Sequence, residues 1–145
     1  MSRSGYSDDC EHVHLWRGAV DRALFGVRGQ RFLRTLRAAL DAMPTKRLIA
    51  HAIAHTSGEV CALGAVDPTA AVDPEDREAV AQHFGIAPAM AAEIVYENDE
   101  AVASWWRSET PEERWVHMRA WVDRQIAPAD EPPADPAVAG EGEVR

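Results

Sequence analysis

Apolar residues in the first third of the chain recur at helical intervals. Val13, Trp16, Val20, Leu24 and Phe25 follow one another at three, four, four and one residues, which predicts a helix from about Glu11 that Gly26 closes. Phe32, Leu33, Leu36, Leu40 and Met43 form the inner face of a second helix over Gly29 to Ala42. Arg34, Arg37 and Asp41 fall on its outer face, and Pro44 stops it. The pattern then changes. Leu48 to Ile53 and Val60 to Ala65 are short apolar runs around His55-Thr56-Ser57-Gly58, which fits a small two-stranded β-hairpin. The frequent Ala in both runs leaves two short helices as the alternative. Residues 66–73 read as a connecting loop.

Residues 77–100 read as two helices around a Gly-Ile corner, and the acidic half of the chain is organised about them. Asp73-Pro74 is expected to open the first helix, with Asp as cap and Pro at a position that needs no N–H donor. Gly85 is expected to end it in a left-handed conformation, and Pro88 to begin the next, with Met90, Ala91, Ile94 and Val95 at helical spacing. Ala81, Gly85, Ile86, Ala91 and Ile94 also match the spacing of a DNA-binding helix-turn-helix. The would-be recognition helix opposes that function. It offers Pro88, Ala89, Met90, Ala92 and Glu93, carries no Arg, Lys, Gln or Ser, and runs into Glu97, Asp99 and Glu100. Affinity for DNA rests largely on cations against phosphates.

Ala101 to Arg107 carries the adjacent Trp105 and Trp106. Thr110-Pro111-Glu112-Glu113 then spells a capping box with Pro at the first helical position. The helix that follows places Trp115, Met118, Val122 and Ile126 on one stripe with Trp121 beside it, and Arg114, Arg119 and Arg124 alternate with acids on the other side. Pro128 ends it. Residues 127–145 are rich in Pro, Ala, Gly and acids and bury too little apolar area to offset the entropy of ordering them, so they are expected to be a disordered tail. The resulting expectation is a mainly α fold. It comprises one helical domain over residues 1–126, of five to six helices with the hairpin as its one strand element, and the tail over 127–145.

Charge adds a second layer. Among 145 residues the formal net charge is −9, divided unevenly. Residues 1–60 hold nine Lys or Arg against six Asp or Glu (+3), and residues 61–145 hold six against eighteen (−12). Such an acidic half disfavours nucleic acid and anionic membranes and suits a basic protein partner. The basic patch Arg28, Arg31, Arg34, Arg37, Lys46 and Arg47 has no interleaved outward aromatics to stack bases. It reads first as a solvated helix face, next as an internal docking surface for the acidic half, and third as a nucleic-acid or phosphate site. Two cysteines, a polar MSRSGYSDDCEH start and no apolar run near the ~20 residues that span a bilayer point to the reducing cytoplasm.

Chemical motifs are sparse. Cys10, His12 and His14, and His51 with His55 and Cys61, are residue types that bind zinc. However, the histidine spacings match their expected local structure poorly and there is no CxxC pair, so no metal or cofactor is expected. Ser57 near His55 lacks the G-x-S-x-G elbow. Gly26 to Gly29 reads as a helix-helix turn rather than an anion cradle. Glu97, Asp99 and Glu100 are expected together on an exposed helix end. With Trp105 or Trp106, one of which is expected to be exposed, they are the candidate contact residues for a protein partner. No enzyme activity is expected.

In order, SGYSDD (residues 4–9), WRGAV (16–20), RGQRFLRTLRAALDAMPTKRLIA (28–50), GEVCALGAV (58–66), DPEDREAVAQHFGIAPAMAAEIVYENDE (73–100) and TPEERWVHMRAWVDRQI (110–126) resemble a group of small proteins encoded by phages and prophages of Gram-negative bacteria. The 66–73 loop is shorter than that group's, and the His-rich start departs from it. The resemblance implies a mobile-element origin and a bacterial cytoplasmic location, and brings no catalytic residues. It makes a non-enzymatic accessory protein that binds a host or phage protein the leading expectation, for instance an anti-CRISPR-like inhibitor of a host defence complex. A helix-turn-helix DNA-binding regulator is the alternative.

Overall fold

The computed structural model describes residues 2–3, 6–7, 13–101 and 107–128. Six helices follow two very short strands. β1 (Ser2–Arg3) and β2 (Tyr6–Ser7) pair antiparallel, with Ser2 opposite Ser7 and Arg3 opposite Tyr6.

α1 (Val13–Phe25) buries Trp16, Val20 and Leu24, one residue per turn along one stripe. α2 (Val27–Ala42) buries Phe32, Leu33, Leu36 and Leu40. The two helices meet at Gly26, and Gly29 explains the tightness of the corner: a Cβ there would stand 1.9 Å from the Ala23 carbonyl oxygen. The turn is thus Gly26 alone: α2 begins at Val27, two residues earlier than expected, and Val27 to Gly29 are already helical.

The 48–65 stretch does not form the expected hairpin. Its strand pairing is a single bridge, Ala54 to Val60, closed by a turn in which His55 N–H donates to Glu59 O (2.8 Å) and Gly58 takes a φ of 95°. The second apolar run folds instead into α3 (Ala62–Val66), capped by the Cys61 sulfur. The reason is packing. Val60 through Gly64 are all buried, which alternating strand faces would not achieve, and Gly64 lies so close to the loop that a Cβ would be 2.1 Å from Ile53 O.

α4 (Arg77–Phe84) begins three residues later than expected. Asp76 is its cap, accepting from Ala79 N–H (3.1 Å), while Asp73 closes the preceding turn by accepting from Glu75 N–H (2.9 Å). Gly85 ends it at φ 70°, and Pro88 is the first residue of α5 (Pro88–Asp99). The corner residues Ala81, Ile86, Ala91 and Ile94 are all buried, so the two helices pack together around the Gly85 turn as expected. The second helix is the centre of the fold: α5 packs against α1, α3, α4 and α6, and Pro88 is its one exposed residue. Among the described residues α5 therefore presents no fully exposed side to a DNA groove.

α6 (Pro111–Gln125) starts with both halves of the capping box, Glu113 N–H to Thr110 Oγ1 (3.1 Å) and Thr110 N–H to Glu113 Oε1 (2.9 Å). It runs antiparallel to α2. Arg119 bonds both carboxylate oxygens of Asp41 (2.7 and 3.1 Å), Arg37 meets Asp123 (3.1 Å), and Gln30 Nε2 donates to Gln125 O (2.9 Å). Trp115 Nε1 donates to Leu40 O (3.1 Å) across the same seam. The expected tail beyond residue 128 and the segment carrying Trp105 and Trp106 lie outside the described residues.

Candidate functional site at the end of α5

The last turn of α5 brings together the acidic residues singled out in the sequence, but not as an exposed patch. Glu97 is buried at 9% exposure and Asp99 and Glu100 are half-buried. Helical spacing is the cause. Glu97 lies seven residues after Met90 and three after Ile94, so it continues the buried face of α5. Its carboxylate meets His117 Nε2 of α6 at 3.0 Å. One turn earlier the buried Glu93 meets Arg17 of α1 at 3.2 Å. Asp99 lies 3.7 Å from the Nδ1 of His51, which adopts a φ of 68°.

Asn98 and Arg114 organise this end. Asn98 accepts from Ala62 N–H (3.1 Å) and donates to Ile49 O (2.9 Å) and to Asp99 Oδ1 (2.7 Å). Arg114, expected on the outer face of its helix, is buried at 8% exposure. Its guanidinium donates to Asn98 O (2.9 Å), Leu48 O (3.0 Å) and Glu109 O (3.3 Å), with the Glu109 carboxylate 3.6 Å away. The planar fork thus satisfies an orphan carbonyl at the C-terminal end of α5 and fixes two loops to it. A sequence signal existed: Arg114 precedes Met118, Trp121 and Val122 by four, seven and eight residues, so it sits on the stripe they bury.

The titration behaviour follows this geometry. The hydrogen bond that His117 Nε2–H donates to the Glu97 carboxylate raises the pKa of His117 above its ordinary value, against the opposing effect of burial. Burial raises Glu109 and Glu100. Cys61 is pushed up to about 11 by burial, so its sulfur is a protonated thiol at neutral pH.

Above His117 the surface opens into a shallow depression of about 470 Å³ formed by Arg107, Glu109, Glu112, Glu113, Val116 and His117. Val116 stands in it at 62% exposure. Glu113 is tied to Arg107 and Glu112 to Arg47. Trp105 and Trp106 immediately precede Arg107 in sequence.

A larger cavity of about 560 Å³ lies between the end of α2, the 57–60 turn and α3. Ser57 on its rim is 3.1 Å from His55 Nδ1, but the same nitrogen accepts the Ser57 backbone N–H (3.2 Å), and the hydroxyl donates to Glu59 (3.1 Å). The carboxylate therefore holds the serine rather than the histidine, the reverse of a nucleophilic triad. His51 and His55 share no helix face, because residues 50–53 are irregular. Cys10, His12 and the side chain of His14 lie outside the described residues, and no group of three or more metal-ligating side chains gathers among the described ones.

In the basic patch, Arg28, Arg31 and Arg34 are exposed and form no ion pair among the described residues. Arg37 is drawn into the α2–α6 seam by Asp123, and Arg47 meets Glu112 and Glu59 (3.7 Å). The patch is thus exposed at Arg28, Arg31 and Arg34 and paired with acids of the second half of the chain at Arg37 and Arg47. The chain matches no known family model, no curated protein and no solved structure, so its own geometry is the basis for any functional reading.

Proposed function

We propose that this protein acts by binding another protein, as a non-enzymatic accessory factor, through the face of α6 around Val116. The observation that carries the reading is Val116 itself, an exposed apolar side chain ringed by Arg107, Glu109, Glu112, Glu113 and His117. An apolar centre inside a charged rim is the anatomy of a protein interface. Trp105 and Trp106, next in the chain, are of a residue type favoured at binding hot spots. The inward commitments of Glu97, Asp99 and Asn98 support a structural rather than catalytic role for the acids of α5. The contact set is accordingly Glu112, Glu113, Val116, Trp105 and Trp106.

The resemblance to phage and prophage proteins supplies the setting for this reading: a mobile-element product in the bacterial cytoplasm, whose target is a host protein such as a component of a defence complex. The test is affinity capture from host lysate with the wild-type chain and with Val116→Asp, both checked for equal melting temperature. A partner retained stoichiometrically by the wild type and lost by the variant is the expected result. Equal retention by both removes this face from consideration. A low-salt gel shift by the wild-type chain on duplex DNA would instead favour the regulator reading, which the burial of α5 opposes.

A further inference from the structure

We propose that the exposed arginine face of α2 is the intramolecular docking surface of the chain's own acidic C-terminal segment, residues 129–145. The proposal is independent of the α6 face and of any outside partner. It starts from where the described chain ends. Ala127 N–H donates to the side-chain oxygen of the buried Gln30 (2.7 Å), and the Gln30 amide nitrogen holds Leu24 O and Gln125 O (both 2.9 Å). The chain thus leaves the fold pinned to the first turns of α2.

Arg34 lies four residues after Gln30 and shares its edge of the helix, and Arg31 is the next residue after Gln30. The direction of travel is also fixed. Asp123 sits at Arg37 and Gln125 at Gln30, so α6 runs toward the N-terminal end of α2, where Arg31 and Arg28 stand.

Charge and length match the surface. Residues 129–145 hold Asp130, Glu131, Asp135, Glu141 and Glu143 against one cation, Arg145. Asp130 and Glu131 come three and four residues after Ala127, which Gln30 anchors, a reach of up to about 10 to 14 Å. That spans the three arginines, since two helical turns rise about 11 Å. Pro132, Pro133 and Pro136 restrict the free chain and so lower the entropy lost on docking. Tethering supplies an effective concentration on the order of millimolar for a short flexible connection, which lets individually weak pairs close. Exposed arginines that would attract nucleic acid are thereby neutralised within the molecule.

The experiment is NMR of the arginine Nε–Hε groups in the full chain and in a full-length variant carrying Asp130→Asn, Glu131→Gln and Asp135→Asn. These sites lie past the end of α6, and circular dichroism checks that the helices are unchanged. The expected result is a shift of the Arg31 and Arg34 signals in the variant. Adding salt to about 1 M, where the Debye length is about 3 Å, should move the wild-type signals toward the variant positions. The reciprocal variant, Arg31→Gln with Arg34→Gln, should shift the backbone amides of Asp130 and Glu131. Coincident arginine signals in wild type and variant at low salt overturn the proposal. So does a difference that grows with protein concentration, which assigns the surface to the tail of a second copy.

Discussion

Two charged regions look alike in the sequence and differ in the folded protein. The arginines of α2 and the acids of α5 are each a run of like charges on a helix. The first is a surface: Arg28, Arg31 and Arg34 point to solvent, and only Arg37 turns into the seam with α6. The second is largely interior: Glu97 is buried against His117, Asp99 is half-buried toward His51, and Asn98 between them ties α5 to α3 and to the 48–49 loop. The difference lies in what surrounds each helix. α2 has one open side, whereas α5 has neighbours on nearly every side. A charge on a surrounded helix must find a partner inside the protein, because an unpaired buried charge is costly.

That contrast predicts very unequal costs for substitutions of similar chemistry. Arg114→Met should be the most damaging, because it leaves three backbone carbonyls without their donor, at about 3–5 kcal/mol. Arg114→Lys should recover only part of the loss, since an ammonium lacks the planar fork. Urea unfolding measures both. A cost for Arg114→Met no greater than for Arg31→Met would erase the distinction between the regions. Asn98→Ala comes next, at about 2–3 kcal/mol, because the Ala62 N–H and the Ile49 carbonyl lose their shared partner.

A smaller effect is expected from pH. The pKa of His117 is raised in the folded state. The stabilisation it contributes is therefore complete below its unfolded value of about 6.5, and is lost as pH rises through the higher folded value. Melting temperature against pH should fall on the alkaline side of that point, and His117→Gln should flatten the fall. Glu100 and Glu109 act with the same sign but lower, in the carboxylate range, so the two windows separate. The smallest effect belongs to the open side of α2: each of Arg28→Ala, Arg31→Ala and Arg34→Ala should change stability by no more than about 0.5 kcal/mol.

Element by element, the signals that worked were local ones. The Thr110–Glu113 capping box, the left-handed Gly85 and Pro88 at the start of α5 need only a few neighbouring residues, and each appears as expected. Where two local signals compete, the reading slipped. Asp73 and Asp76 are both acceptable caps, and the second takes the role because the first closes the turn before it. The apolar runs at 48–65 suit strand or helix equally by composition. The close approach of Gly64 to Ile53 O, a contact eleven residues back, favours helix for the second run. In the candidate site Glu97, Asp99 and Glu100 stand together at the end of α5 as expected, but Glu97 is buried rather than exposed, because position on the helical stripe and not acidic identity sets its direction. Arg114, expected on the outer face, is buried for the same reason.

The sequence alone determined the helical class, the order of the helices other than α3 and most of their ends, because caps, glycines, prolines and apolar period act over one or two turns. Tertiary structure alone decided which charges face inward. The acceptors of Arg114 lie at residues 48, 98 and 109, and the partner of Glu97 lies on another helix at residue 117. Such partners meet only when helices distant in sequence pack, and the cost of burying a charge depends entirely on whether they do.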